Sequence, residues 1–124
     1  MIKAQDLRIG NIVSYRGELF EVFDLICKSS VELDSEKLDR HVNNADLNNI
    51  FPVDISEEIL LKVGFEKNRQ EWSFESFCLQ IFQGWLHYSA GEGLKLSNEI
   101  KRLHQLQNLY FALTGQELNR AGLV

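Results

Sequence analysis

A chain of 124 residues, 44% hydrophobic and 25% charged, has the make-up of one globular domain, which excludes a disordered chain. Its formal charge of −5 lies wholly in residues 1–64, with seven Lys/Arg against twelve Asp/Glu, while residues 65–124 hold six of each. Nucleic acid is therefore disfavoured by the first half and only permitted by the second, and with no leader and no apolar run near the roughly 20 residues of a membrane span, a cytoplasmic protein without membrane contact is expected.

The first elements are strands. "NIVSY" and "ELFEVFDLI" flank Arg16-Gly17, a two-residue connection ending in Gly that predicts a hairpin, because its turn needs positive φ. On the second run Leu19, Phe23 and Leu25 share one face and Phe20, Val22 and Ile26 the other. Both faces are apolar, so the strand is expected to be covered on both sides or to bend inside a small barrel. "VELD" predicts a third strand, residues 35–49 read as loops around one short extended piece, and "IFPVDI" reads as an edge strand or extended connector, since Pro52 cannot donate to a ladder.

A short helix follows, with Ser56 as N-cap, Glu57 and Glu58 in the first turn, and Gly64 after the last. "EWSF", "FCLQIF", "WLHYSA" and "LKLS" then predict a four-stranded antiparallel meander broken at Glu75-Ser76, Gln83-Gly84 and Gly91-Glu92-Gly93. The last helix is expected over residues 100–114, stopped by Gly115. Ile100, Leu103, Leu106, Leu109, Tyr110, Phe111 and Leu113 cover an arc of roughly 200° at 100° per residue, so this helix should be packed from two sides. The predicted fold is α+β: a small β-barrel-like lobe over residues 1–55, then over residues 56–124 a short helix, the meander and a C-terminal core helix, sharing one core with the first lobe. In that core Phe20, Val22 and Phe23 should join Leu106 and Leu109.

"RIGNIV", "EEILLKVGFEK" and "HQLQNLYFALTGQEL", in that order, resemble a group of short uncharacterised proteins from bacterial and prophage-like genomes. The resemblance implies no catalytic residue, since the group has no established activity, and it implies a mobile-element setting. Separately, "LRIGNIVSYRGELFEV" looks like the opening of small barrels of the Tudor or KOW type, a likeness of fold that leaves function open.

No constellation of catalytic type stands out. His41, His87 and His104 lack the close Cys/His spacing of a zinc site, no Ser or Cys sits on a Gly-flanked elbow, and of the paired carboxylates Glu57-Glu58 and Asp34-Glu36 the pair at the helix start reads as dipole partners. Neither metal nor cofactor is expected, and Cys27 and Cys78, inside apolar runs, should be small buried hydrophobes. Two sets of residues remain as a candidate binding face. Lys101, His104, Gln105 and Asn108 fall on one polar stripe of the last helix, with Ala112 beside them. Trp72, Trp85 and Tyr88 on the meander, with Lys67, Arg69, Lys95, Lys101 and Arg102 nearby in sequence, are of the kind that stacks bases or lines a groove. Gln107 and Thr114 fall inside the apolar arc, so Gln107 should be hydrogen-bonded to the backbone of a neighbouring strand or loop, and Thr114 to a carbonyl one turn earlier. A non-enzymatic module that binds a protein partner, of mobile-element origin, is the leading expectation, and a nucleic-acid-binding accessory protein is the alternative.

Overall fold

The computed structural model describes residues 2–75, 77–82, 85–89, 99–120 and 122–124. Its nine described strands form two antiparallel sheets. β1 (Ile12–Tyr15) and β2 (Glu18–Cys27) are joined by Arg16 and Gly17, with φ of 52° and 80°. Both are left-handed, as a tight hairpin turn of this length requires. β3 (Ser30–Ser35), β4 (Arg40–Asp46) and β5 (Ile50–Phe51) complete the first sheet, in the order β4-β3-β2-β1-β5. That sheet has two edges, β4 and β5, and no closed barrel is found among the described residues. β4 is longer than the short extended piece that its polar, Asn- and Asp-rich sequence predicts: it buries only Ala45, yet pairs along the length of β3. β5 is an edge strand, ending just before Pro52 as expected.

Ser56 caps α1 (Glu57–Lys62), its Oγ accepting the Ile59 N–H at 3.3 Å. The second sheet is a meander of β6 (Glu66–Asn68), β7 (Glu71–Phe74), β8 (Phe77–Phe82) and β9 (Trp85–Ser89) in chain order. Its first strand is β6, whose three exposed residues carry no alternating pattern to read. The expected break at Glu75-Ser76 falls between β7 and β8, where Glu75 turns with φ 53°, while Ser76, Gln83-Gly84, Gly91-Glu92-Gly93 and the strand expected at "LKLS" lie outside the described residues. Beyond β9, Ile100 donates to the Leu86 carbonyl at 2.8 Å and Leu103 to that of Val53 at 2.8 Å. Residues 99–103 are thereby laced to β9 on one side and to residues 53–55 on the other.

The last helix, α2, is shorter than expected (Leu103–Thr114), and Gly115 closes it in the left-handed region. Gln105 Oε1 accepts the Lys101 and Arg102 N–H groups at 3.1 and 3.0 Å, satisfying donors at the helix start. One side of α2 meets the meander, Tyr110 packing on Phe77 and Phe74 with ring centroids 5.1 and 6.0 Å apart. The other side meets β1.

Buried side chains form two clusters. The first holds Val13, Phe20, Val22, Val31, Leu33 and Ile50, closed by Ile2, Leu7 and Leu47. The second holds α1, the meander's inner face and α2, and takes Ile12 from β1. The expected grouping of Phe20, Val22 and Phe23 with Leu106 and Leu109 is therefore corrected: the first two belong to one cluster, the last two to the other, and Phe23 is exposed. Coupling runs through β1, where the pleat sends Ile12 and Val13 to opposite faces.

Candidate functional site

The turn before β1 and the helix α2 meet in a polar junction. Gln107, 1% exposed, accepts the Ile12 N–H at 2.8 Å and donates to the Gly10 carbonyl at 3.0 Å, as the helical wheel predicts. Asn11 Nδ2 and Arg8 Nε both donate to Asn108 Oδ1, at 2.7 and 3.1 Å. Arg8 also lies 4.3 Å over the Phe111 ring and pairs with Glu117, while Arg120 pairs with Glu21. Gly10 adopts φ +99°, and a Cβ there would stand 2.8 Å from Arg120 Nη1. "RIGN" and "HQLQN", two of the segments that carry the sequence resemblance, are thus joined as scaffold.

The stripe expected to be solvated is only partly so. Lys101 and Gln105 are exposed, but His104 is 8% exposed and Asn108 half-buried in the junction. The reason is that residues 5–8 lie along that side of α2, with Asn108 Nδ2 reaching the Asp6 carbonyl at 3.2 Å. The apolar arc is correspondingly uncovered at its far end, leaving Phe111, Leu113 and Thr114 exposed, although Thr114 does donate to the Tyr110 carbonyl at 2.7 Å. An open groove of about 710 Å³ separates residues 5–8 from α2 and collects His104, Gln105 and Asn108 from the stripe. His104 Nδ1 is buried and has no hydrogen-bond partner among the described residues. Burial holds its imidazole below the ordinary value, Asp6 opposing and Arg102 reinforcing. The site thus favours the neutral ring.

The aromatic set does not form one platform. Trp72 is buried, Tyr88 is half-buried with its ring 4.8 Å from Phe77, and Trp85 is exposed with Lys101 Nζ 4.5 Å above it. Lys101 and Trp85 are the two candidates that the fold brings together from different elements. Lys67 lies 5.8 Å over the Trp72 ring.

A further surface, missed by the sequence reading, lies on the outer half of the first sheet. Irregular pairing between Val22 and Asp24 and between Leu25 and Cys27 breaks the alternation of β2. Beyond Val22 every residue of the strand is exposed, including Phe23 (57%), Leu25 (42%) and Ile26 (47%). The register places Glu21 opposite Asp34 and Asp24 opposite Glu32, so carboxylates face carboxylates across β2 and β3. On β4, His41 sits between Glu32 and Asp34 at 3.2 and 3.4 Å, and Phe23 meets its ring edge-on at 5.4 Å. An open cleft of about 660 Å³ adjoins this face, lined by Glu21, Asp34, Glu36 and Lys37 and, from the C-terminal segment, by Leu118 and Arg120. Burial pushes the Glu21 carboxyl up, against the pull of Arg120 and with the help of Asp34, Glu117 and Glu36. The apolar run had suggested coverage on both sides; the usable signal was the acidic alternation of "VELDSE" on the partner strand.

The cysteines differ from expectation. Cys27 is exposed where β2 ends, with Sγ 3.5 Å from Ser29 Oγ and 3.2 Å from Ser30 Oγ, and these hydroxyls lower its thiol to about 7. Cys78 is partly buried and its thiol is raised by burial and by Glu71. Among the described residues no group of three or more His, Cys, Asp or Glu is disposed to hold a metal ion, and no helix is long and apolar enough to cross a membrane.

Comparison of the chain with protein-family models, curated proteins and solved structures yields no match.

Proposed function

We propose that this chain is a non-catalytic protein-interaction module whose partner binds the outer face of β2, β3 and β4. The observation that carries the reading is Phe23, 57% exposed and edge-on to His41 beside Glu32 and Asp34 on the outer face, on a strand whose Leu25 and Ile26 are exposed as well. Exposed apolar groups clustered and rimmed by polar residues mark interaction surfaces more often than scattered ones do. A photo-crosslinking residue at position 23, irradiated in producing cells, should give a discrete protein adduct. The same residue at position 61, where Leu61 is equally exposed on α1, should not. Absence of any adduct from position 23, or equal adducts from both, would count against the module.

One observation favours a second reading, an accessory protein for single-stranded nucleic acid. Lys101 over the exposed Trp85 is the pairing that stacks a base and neutralises its phosphate. Quenching of Trp85 fluorescence by a thymidine oligonucleotide, lost in Trp85→Ala, would raise this reading above the first.

A further inference from the structure

We infer that the outer face of β2–β4 docks a basic segment of a partner protein, with an apolar side chain against Phe23 and a Lys or Arg in the adjoining cleft. The inference rests on the reading of the chain as an interaction module and specifies the partner's chemistry. Residues 21–46 hold seven carboxylates against three Lys/Arg, which places four of the five net negative charges on this one arm. Directly opposed like charges destabilise a sheet, yet two such pairs, Glu21 with Asp34 and Asp24 with Glu32, stand on the same face. Among the described residues no Lys or Arg is ion-paired with Asp24, Glu32 or Asp34, and Arg40, on the neighbouring strand, is taken by Glu18. Arg120 pairs with Glu21 and offsets the first repulsion, whereas that between Asp24 and Glu32 is left without a Lys or Arg. A cationic partner would relieve it, and complementary potential of this kind also steers encounter and selects the partner.

The arrangement has a shape to match its charge. Phe23, edge-on to His41, offers an apolar and aromatic contact in the middle of the carboxylates. An exposed aromatic ringed by charge is the kind of anchor around which a binding surface is organised. The cleft lies beside it, its wall carrying Glu21, Asp34 and Glu36 together with Lys37 and Arg120, three carboxylates against two cations. An extended segment crossing Phe23 brings a following side chain to the cleft mouth.

The test uses the intact chain, labelled for amide NMR, and a short amidated peptide of alternating lysine and alanine around one leucine. Its glutamate counterpart serves as control. The lysine peptide should shift amides of residues 21–46, the glutamate peptide should not, and raising ionic strength from roughly 0.05 to 0.5 M should abolish the shifts. The variant Glu32→Gln/Asp34→Asn should bind the lysine peptide about tenfold more weakly. It should also melt at the same temperature or higher, because it removes repulsion, so lost binding cannot be lost folding. Shifts confined to the groove beside His104, equal binding by the variant, or calcium reproducing the shifts and displacing the peptide would each overturn the inference. If position 23 crosslinks a partner through an acidic or purely apolar segment, the inference falls and the module stands. If position 23 captures nothing, the module itself falls.

Discussion

Gln107 and His104 sit one turn apart on the same helix and show how far a helical wheel reaches. Gln107 lies deep in the apolar arc, so its burial and its need for backbone partners follow from periodicity alone. Replacing it with Ala leaves the Ile12 N–H and the Gly10 carbonyl buried without that partner, which should cost about 2–3 kcal/mol. Thermal melting should fall by about 5–10 °C. His104 and Asn108 fall on the polar stripe, and the wheel has no knowledge of residues 5–8 lying along it. Asn108→Ala should therefore cost about 1 kcal/mol, measured by urea unfolding, where a solvated residue would cost nothing. His104 also sets a pH dependence. Its folded-state pKa lies below the ordinary 6.5, so the neutral ring is the one the fold accepts. Its contribution is complete above about 6.5 and is lost as pH falls below that value, until the folded form also protonates. Stability should drop between about pH 7 and 5 in the wild type, and His104→Leu should drop less over the same range. Cys27, with a thiol near 7, is about half thiolate at neutral pH and should react with iodoacetamide well before Cys78; equal rates would show that its two serine contacts are not kept in solution.

At the scale of elements, what could be read depended on whether local chemistry or tertiary cover decides the outcome. The Arg16-Gly17 hairpin, the Ser56 cap and the Gly115 stop are local and hold in the structure. Ser56→Ala should therefore cost about 1 kcal/mol in chemical denaturation, since α1 has six residues and little propensity to spare. β4, longer than the short extended piece expected there, and β6, not expected at all, share one reason. Each is a polar strand whose pairing is supplied by its neighbour, so neither shows the alternation that marks a half-buried strand. β2 errs in the opposite direction, since its apolar second half promised cover that its irregular pairing with β3 does not deliver.

For the whole molecule, two clusters meeting at one strand raise the question of cooperativity. Both tryptophans, Trp72 and Trp85, lie in the second sheet, so their fluorescence reports on that half, whereas far-ultraviolet circular dichroism reports on both sheets. Because β1 contributes to both clusters and α2 is tied to the turn before it, the two signals should change together in urea, with a single midpoint. Separate midpoints would show that the halves fold independently and that β1 does not transmit stability between them.

The same strand sets what kind of change the chain can absorb. Ile12 and Val13 are both fully buried, on opposite faces, so β1 is a two-phase code with no silent position in its middle. A conservative replacement at either residue perturbs one cluster. Insertion or deletion of a single residue next to Asn11 would exchange the phases, presenting Val13's neighbour to the first cluster and its own side chain to the second. The Gln107 contact to Ile12 would slip along with it. The hairpin side of β1 offers no compensating slack, because a two-residue turn fixes the register. Length, more than composition, is what this segment has to conserve.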